Sequence, residues 1–212
     1  GNSRRITADL LDYSSMDLTA DSTALVTVQS SWISNIWAAD GGDVNRPVQI
    51  RSGGNNREGM DGFSLMPDGR VLFGSMAGGG DDIWAMNADG SSPKQLTANM
   101  GSNFHAVASP DGKYIIFTSI RDLRASLWRK RADGNGAVRL TGGTNDFEPD
   151  ISPDSNWVVY VSENAGRQHL WRIPIEGGDP IRVSENFAAA PRISPDGKWI
   201  ACAWRKDQNS TW

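Results

Sequence analysis

The sequence has little of what marks several large classes of protein. Its 212 residues include one cysteine and two histidines, and the formal net charge is only −4. Cys202 forms no disulfide within the chain, and its apolar neighbours predict a buried, unreactive thiol. The chain lacks a basic stripe, and no apolar run approaches the roughly 18–20 residues that span a bilayer. We therefore expect no nucleic-acid partner and no membrane insertion.

The chain does have a turn motif that recurs at a nearly fixed period. Ser-Pro-Asp-Gly at 109–112 precedes an apolar run, and the same arrangement returns at 194–197. Looser copies extend the series, and its aspartates are Asp21, Asp68, Asp111, Asp154 and Asp196. They lie 47, 43, 43 and 42 residues apart. A period of roughly 20–50 residues is typical of repeat architectures.

Two further markers keep the same period. An aliphatic-Trp pair ends at Trp37, Trp84, Trp128 and Trp171, and an acidic-Gly turn follows each pair. Each copy thus has strand a before the Pro-Asp turn, strand b after it, strand c with the tryptophan, and strand d. Four antiparallel strands per roughly 43 residues form the blade of a β-propeller. We predict an all-β, single domain over 1–212, with blades near 14–51, 61–97, 104–141, 147–184 and 189–212.

The two ends of the chain suggest how the ring closes. Residues 3–7 resemble the endings of strand d, and residues 210–212 match the start of strand c. The last copy, 189–212, would then be completed by 3–7 to give a fifth blade, which would leave no free sheet edges. The alternative is an open fragment of a larger propeller. A closed ring predicts a monomer, and an open ring allows an oligomer that shares strands.

The turn residues suit a tight a–b connection. Proline presets φ, aspartate bonds nearby backbone, and glycine takes the left-handed conformation. Ser22 and Ser155 replace that glycine. We expect both turns to be strained or differently built, at about 1–2 kcal/mol each.

These repeats resemble the WD40-like β-propeller repeat of the TolB type, which has Ser-Pro-Asp-Gly at the a–b turn and an aliphatic-aromatic pair on strand c. The resemblance covers about residues 3–212. It implies a bacterial, periplasmic or other extracytoplasmic protein that binds other proteins without catalysis. The chain itself shows no signal peptide, and a cytoplasmic location stays open.

Loops that differ between the copies are the better candidates for function, because rigid scaffolds commonly carry their binding residues on loops. The b–c and d–a loops share one face of such a fold and vary from copy to copy, whereas the a–b and c–d turns barely change. On the variable loops we single out Trp32, Arg57, Arg124 and Arg167. The loop over 78–82 lacks the spaced oxygen ligands of a calcium site, which favours a flexible b–c loop.

A polar row on the innermost strand a is the second candidate. It comprises Asp17, His105, Glu148, Asp150 and Arg192. These side chains would converge at the central channel, either as a binding pocket or as charges that pair structurally. No Gly-x-Ser-x-Gly elbow is present, and a carboxylate pair two residues apart on one strand is weak evidence for glycosidase or lyase chemistry. We expect no enzyme, no cofactor and no metal.

Two functions follow from these features. The first is a non-enzymatic scaffold that binds a protein or peptide through the b–c and d–a loops and the channel mouth. The alternative is a small-molecule or glycan site in the channel, which could be catalytic in a larger parent protein.

Overall fold

The computed structural model describes residues 12–21, 23, 25–30, 33–41, 43–54, 56–142, 145–164 and 166–204, and every regular element there is a β-strand. Two hairpins come first, β1 (Asp12–Leu18) with β2 (Leu25–Ser30) and β3 (Asn35–Asp40) with β4 (Asp43–Ser52). The first four-stranded sheet holds β5 (Phe63–Leu65), β6 (Val71–Ser75), β7 (Asp82–Met86) and β8 (Lys94–Gln95). The second holds β9 (Ser102–Ala108), β10 (Tyr114–Arg121), β11 (Arg124–Arg131) and β12 (Val138–Arg139). The third holds β13 (Asp146–Ile151), β14 (Trp157–Asn164), β15 (Arg167–Pro174) and β16 (Ile181–Arg182), and a hairpin of β17 (Ala188–Ile193) with β18 (Ile200–Trp204) follows.

Each four-stranded sheet runs a-b-c-d in chain order, with antiparallel neighbours. The predicted all-β class and four-stranded antiparallel sheets are therefore confirmed. The inner strands β5, β9, β13 and β17 contact one another in sequence, as expected for strand a. The sheets do not close into a ring within the described residues, and the strands expected at 3–7 and 210–212 lie outside them. In the same part of the chain, no helix is long and apolar enough to cross a membrane.

The first repeat differs from the other copies. Its four strands form two separate hairpins, and no described pairing joins β2 to β3. In the complete sheets strand b is largely buried, with Phe73 and Phe117 almost inaccessible, whereas Val28 on β2 and Trp37 on β3 are each 55% exposed. Among the described side chains of the first repeat, Val28 and Trp37 thus lack the burial that strands b and c have in the complete sheets.

The Ser-Pro-Asp turns work through their side chains. Ser109 Oγ accepts a hydrogen bond from the N–H of Tyr114 at 2.9 Å and donates to Asp111 Oδ1 at 2.7 Å. Asp111 Oδ1 also accepts from the N–H of Lys113 at 3.1 Å. Ser155 has φ of 60°, so its turn keeps the left-handed backbone, which is the strained one of the two predicted alternatives. Its Oγ accepts from the N–H of Asp111 at 3.0 Å. This serine therefore links two neighbouring turns, whereas Ser22 lies outside the described residues.

The hydrophobic core lies between the sheets. Leu72 and Ile83 of the first four-stranded sheet pack against Ile115 and Phe117 of the second. The next interface uses the same strand positions, and shorter clusters join the flanking hairpins. Each buried side chain of this size contributes about 1.5–3 kcal/mol. The stack therefore holds the inner strands, and the loops at their ends, in fixed relative positions.

Cys202 is exposed, so the prediction of a buried thiol is wrong. It lies on β18 opposite the bulge of β17, where Phe117 of β10 is buried by the preceding sheet. Ile200, two residues before Cys202 on β18, lines an open groove.

Candidate functional site at the inner strands and loop face

The inner strands share a β-bulge at one position of the repeat. In β9, β13 and β17 the pairing register shifts next to His105, Glu148 and Ala190. Their φ angles are 51°, 53° and 51°, all in the left-handed region. Bulges redirect side chains and are common beside functional sites. Two of the predicted site residues thus sit where successive inner strands bend.

A group of ionisable side chains surrounds His105. Glu148, Asp61 and Arg192 are near enough to influence its charge. Burial is the largest effect and lowers the pKa of the His105 imidazole; the two carboxylates oppose this change, and the Arg192 guanidinium adds to it. His105 Nδ1 is buried and has no hydrogen-bond partner among the described residues. We call these four residues the inner cluster.

The carboxylates of β13 also brace the next inner strand. Glu148 Oε2 accepts a hydrogen bond from the N–H of Ala190 at 2.8 Å, and Asp150 Oδ2 accepts from the N–H of Ile193 at 2.6 Å. Burial raises the pKa of the Asp150 carboxyl above its usual value, although hydrogen bonds from the N–H groups of Ile193 and Ile151 and the charge of Arg192 oppose the rise. The predicted carboxylate pair therefore has a clear structural use in joining β13 to β17.

The predicted arginines lie at different depths. Arg192 is exposed and belongs to the inner cluster. Arg124 and Arg167 are exposed at the b–c turns of two successive sheets, and Arg57 is half-buried in the d–a loop before β5 with φ of 53°. Arg192 thus belongs to the inner cluster, whereas the other three arginines lie on the b–c and d–a loops.

Two other predicted residues are not brought to the cluster. Asp17 is exposed on β1, which contacts only β2 among the described strands. The separate hairpins of the first repeat explain this difference. Trp32 lies outside the described residues.

Leu123 is a feature that the sequence analysis missed. It lies at the tip of the β10–β11 turn and is 98% exposed. Asp122 and Leu123 have φ angles of 51° and 61°, which define a turn that normally favours asparagine and glycine. An apolar residue with strained backbone at an exposed tip is unusual, and strain of this kind collects at functional positions. The sequence feature that could have identified Leu123 is a single leucine among charged residues in a predicted turn.

The loop over 78–82 also differs from its prediction. Asp82 begins β7 and is only 5% exposed, with its carboxylate bound by three side chains. Among the described residues, no three His, Cys, Asp or Glu side chains come together as a metal site would require.

We expect stability to fall as the pH is lowered through about 6.5, and His105→Asn to remove this part of the dependence. The pKa of folded His105 lies below the reference value of 6.5, so the unfolded chain takes up a proton first. The stabilising contribution is complete above 6.5 and is lost as the pH falls from there through the folded-state pKa. Urea unfolding between about pH 5 and pH 8 measures it. Asparagine suits this site because it tolerates positive φ.

His169→Asn is the control for that measurement, since His169 is the other histidine of the chain. This variant should retain the pH dependence that His105 causes. An unchanged slope in the His105 variant would contradict the assignment.

Comparison with known proteins connects this fold to TolB. No family model matches the chain. The Tol-Pal system protein TolB of Geobacter sulfurreducens is 36% identical over 62 residues, which are 29% of this chain and 14% of that protein. A candidate Tricorn-like protease N-terminal subunit of Sulfurisphaera tokodaii is 34% identical over 86 residues, 39% of this chain and 38% of the relative. The chain thus spans well under two thirds of these relatives.

Solved structures show the same likeness across most of the chain. A candidate TolB of Agrobacterium tumefaciens has a TM-score of 0.68 and 21% identity, covering 92% of this chain and 70% of that one. TolB of Acinetobacter baumannii has a TM-score of 0.67 and 21% identity, covering 90% and 48%. The predicted resemblance to TolB-type propellers and the propeller fold are confirmed.

Two enzymes share the fold at lower similarity. The tricorn protease has a TM-score of 0.56 at 14% identity, covering 87% of this chain and 21% of that one. An oligogalacturonate lyase has a TM-score of 0.55 at 18% identity, covering 73% and 46%. The fold alone therefore does not separate binding proteins from enzymes.

Proposed function

We propose that the chain is a non-enzymatic scaffold that binds a protein or peptide through its b–c and d–a loops and the adjoining mouth of the inner cluster. Leu123 carries this proposal, because a fully exposed leucine on a strained turn gains most by burial against a partner. The similarity to TolB supports a binding role and an extracytoplasmic, periplasmic location.

Hydrogen bonds between loops support a common face for the b–c and d–a loops. The N–H of Met76, after strand b, donates to the carbonyl of Asn56 in the preceding d–a loop at 2.7 Å. At the opposite end the N–H of Ala132, in a c–d turn, donates to the carbonyl of Lys113 at 2.9 Å. These contacts support a single face for the loops that differ between copies, which we call the loop face.

The loop face also has suitable chemistry for a partner. Ile33 and Met60 are exposed there in addition to Leu123, with 71% and 49% of their surface accessible. Arg124, which follows Leu123 in the chain, and Arg167, at the b–c turn of the next sheet, add exposed positive charge. A partner with an apolar anchor and acidic surroundings would match this combination.

We expect Leu123→Asp to weaken partner binding at least tenfold while leaving stability nearly unchanged. The substitution removes the exposed apolar anchor and also places a negative charge toward an acidic partner. Val44→Asp is the matched control, because Val44 is 70% exposed on β4 beside a c–d turn, at the other end of the strands. Pull-down from an extracytoplasmic extract, followed by quantitative titration of the recovered protein, measures the change.

Arg124→Ala should weaken the same interaction by a smaller factor, since it removes one rim charge. Equal recovery of every partner by wild type, Leu123→Asp and Arg124→Ala would sink the proposed function. Loss on Val44→Asp alone would place the interaction on the other end.

The second candidate is a small-molecule or glycan site at the inner cluster. The observation that favours it is the buried His105 Nδ1, which has no hydrogen-bond partner in the described part of the chain and lies near the charges of Glu148 and Arg192. Imidazole nitrogen signals of His105, followed by NMR during titration with glycans and divalent cations, test it. Unchanged signals throughout would count against this site.

The remaining parts of the proposal concern the whole chain. We infer a single domain over 1–212 in which 3–7 completes the last blade, with a monomer if the ring closes. Solution mass by light scattering tests this arrangement, and a strand-sharing oligomer would contradict it.

A further inference from the structure

Two arginines lie near each other at the loop end of the second four-stranded sheet. Arg121 ends β10 and Arg139 ends β12. Burial is the largest cause that lowers the pKa of the Arg121 guanidinium, and the nearby charge of Arg139 adds to it. No described carboxylate contributes to this shift, not even that of the adjacent Asp122. We call Arg121 and Arg139 the arginine pair.

Two buried serines anchor the arginine pair. Ser119 of β10 and Ser126 of β11 are opposite each other in the antiparallel register and are 0% and 3% exposed. Arg121 Nε donates to Ser119 Oγ at 3.2 Å, and Arg139 Nη2 donates to Ser126 Oγ at 2.8 Å. Opposite residues of such strands have Cβ atoms about 4.5–5.5 Å apart, so both arginines reach the same part of the sheet.

Further contacts hold each guanidinium in place. The guanidinium carbon of Arg121 lies 3.4 Å from the centre of the Trp128 ring. Arg139 Nε donates to the main-chain carbonyl of Thr141 at 2.8 Å. Arg121 Nη2 is buried and has no hydrogen-bond partner within the described ranges. The arginine pair is therefore preorganised, and it still has donors to offer.

The neighbouring sheets have a carboxylate of their own at the corresponding place. Gln95, Arg139 and Arg182 are each opposite the strand c tryptophan of their sheet. In the first four-stranded sheet, Gln95 Nε2 donates to the Asp82 carboxylate at 2.8 Å. In the third, the Glu185 carboxylate lies 3.9 Å from Arg182 Nη2.

The second four-stranded sheet has no such acid among its described residues. Directly before the aliphatic-Trp pair, it has Ser126 where the first sheet has Asp82, and it has Gly142 where the third has Glu185. The two residues after Gly142 are glycine and threonine, which carry no charge. The two cations repel each other, so an oxyanion bound between them would be stabilised.

We propose that the arginine pair is a carboxylate site that receives an acidic side chain of the partner. Leu123 is exposed two residues after Arg121 in the same turn. An apolar side chain of the partner covers Leu123, and an acidic residue beside it engages the arginine pair. The source of the carboxylate rests on the proposed function, whereas the site itself can be tested without a partner.

The Nε–H signals of the arginines in NMR spectra of the full chain report binding directly. Titration with N-acetylglutamate amide at constant ionic strength should move the signals of Arg121 and Arg139 together, and the shifts should saturate. N-acetylglutamine amide, which has the same shape without the charge, should bind about tenfold more weakly. Arg131 is exposed on the same sheet beside a c–d turn and should show no saturable shift.

Substitutions that copy the first four-stranded sheet give a second test. Ser126→Asp places a carboxylate where that sheet has Asp82, so it should occupy the arginine pair and weaken probe binding about tenfold. Ser126→Asn is the matched control, because it has the same size without the charge and should keep most of the affinity. Arg139→Gln copies Gln95 and should also weaken binding about tenfold. Unchanged main-chain amide signals verify that each variant folds.

Three results would overturn the proposal. The first is the absence of a saturable shift at Arg121 and Arg139 with N-acetylglutamate amide, which needs no variant. The second is equal affinity of Ser126→Asp and Ser126→Asn for this probe. The third is much tighter binding of succinate or inorganic phosphate than of N-acetylglutamate amide, which would assign the arginine pair to a free anion.

Pull-down separates this inference from the proposed function. Arg121→Gln should weaken partner capture about tenfold, as Leu123→Asp does. Capture lost with Leu123→Asp and kept with Arg121→Gln would refute the carboxylate site and leave the proposed function intact. Capture kept by both variants would refute the proposed function and, with it, the partner as the source of the carboxylate.

Discussion

Replacing Asp82 with alanine is expected to lower the free energy of unfolding by about 3–5 kcal/mol, the range seen when a buried charged network loses one member. Asp82 Oδ1 accepts hydrogen bonds from Thr97 Oγ1 at 2.7 Å and from Asn103 Nδ2 at 3.2 Å. Its Oδ2 accepts from Gln95 Nε2 at 2.8 Å. Thr97 and Asn103 are 2% and 1% exposed, so water cannot replace the lost carboxylate without rearrangement.

The network connects two sheets as well as stabilising one. Thr97 Oγ1 also accepts the N–H of Ile83 at 2.9 Å, and Asn103 belongs to β9 of the following sheet. Loss of Asp82 should therefore loosen the contact between the first and second four-stranded sheets. Urea unfolding gives the free energy, and hydrogen exchange at β7 and β9 locates the change.

Asp81→Ala is the matched control for this prediction. Asp81 contributes through its main-chain carbonyl, which accepts the N–H of Asn103 at 2.8 Å and survives the substitution. The control should change stability by about 0.5 kcal/mol or less. Asp82→Asn should fall between the two, because it keeps one acceptor and adds an unwanted donor. Equal losses for both alanine variants would refute the network's role.

The Asp82 network could not be predicted from the sequence. Gly78–Gly80 followed by two aspartates predicts a flexible loop, and nothing adjacent in sequence shows that Asp82 is held. Its partners Gln95, Thr97 and Asn103 come from another strand and another sheet. A contact set by tertiary packing leaves no local pattern.

The turns were predictable for the opposite reason. Ser109, Asp111 and Gly112 satisfy one another within a few residues, so the motif alone determines its own geometry. The buried strands that follow are continuous apolar runs, and they were placed correctly by composition. Repeated local chemistry therefore gave the period and the four-stranded sheets.

The bulges of the inner strands could be predicted only in part, unlike the turns, which were predictable, and the Asp82 network, which was not. His105, Glu148 and Ala190 share positive φ but have no side-chain property in common. The N–H of Ala190 is held by the Glu148 carboxylate of the preceding inner strand. The N–H of His105 is held by the carbonyl of Asp61, which lies just before β5. Neighbouring strands impose the bulge, so the sequence predicted which residues form the polar row and not how they are turned.

Arg129→Ala is expected to destabilise the protein by about 2–3 kcal/mol, whereas Arg172→Ala should cost about 1 kcal/mol or less. The Arg129 side chain is 16% exposed, and its removal leaves the carbonyl of buried Ile175 without its donor. Glu176 is 65% exposed, so its ion pair adds little in water. Both arginines lose a similar stacking contact with an aromatic ring, which makes each a control for the other.

The difference between the two variants in unfolding free energy measures how much the contacts of Arg129 with the next sheet stabilise the protein. Urea unfolding of both proteins measures that difference. Equal destabilisation by the two substitutions would contradict the stabilising role of the Arg129 contacts with Ile175 and Glu176.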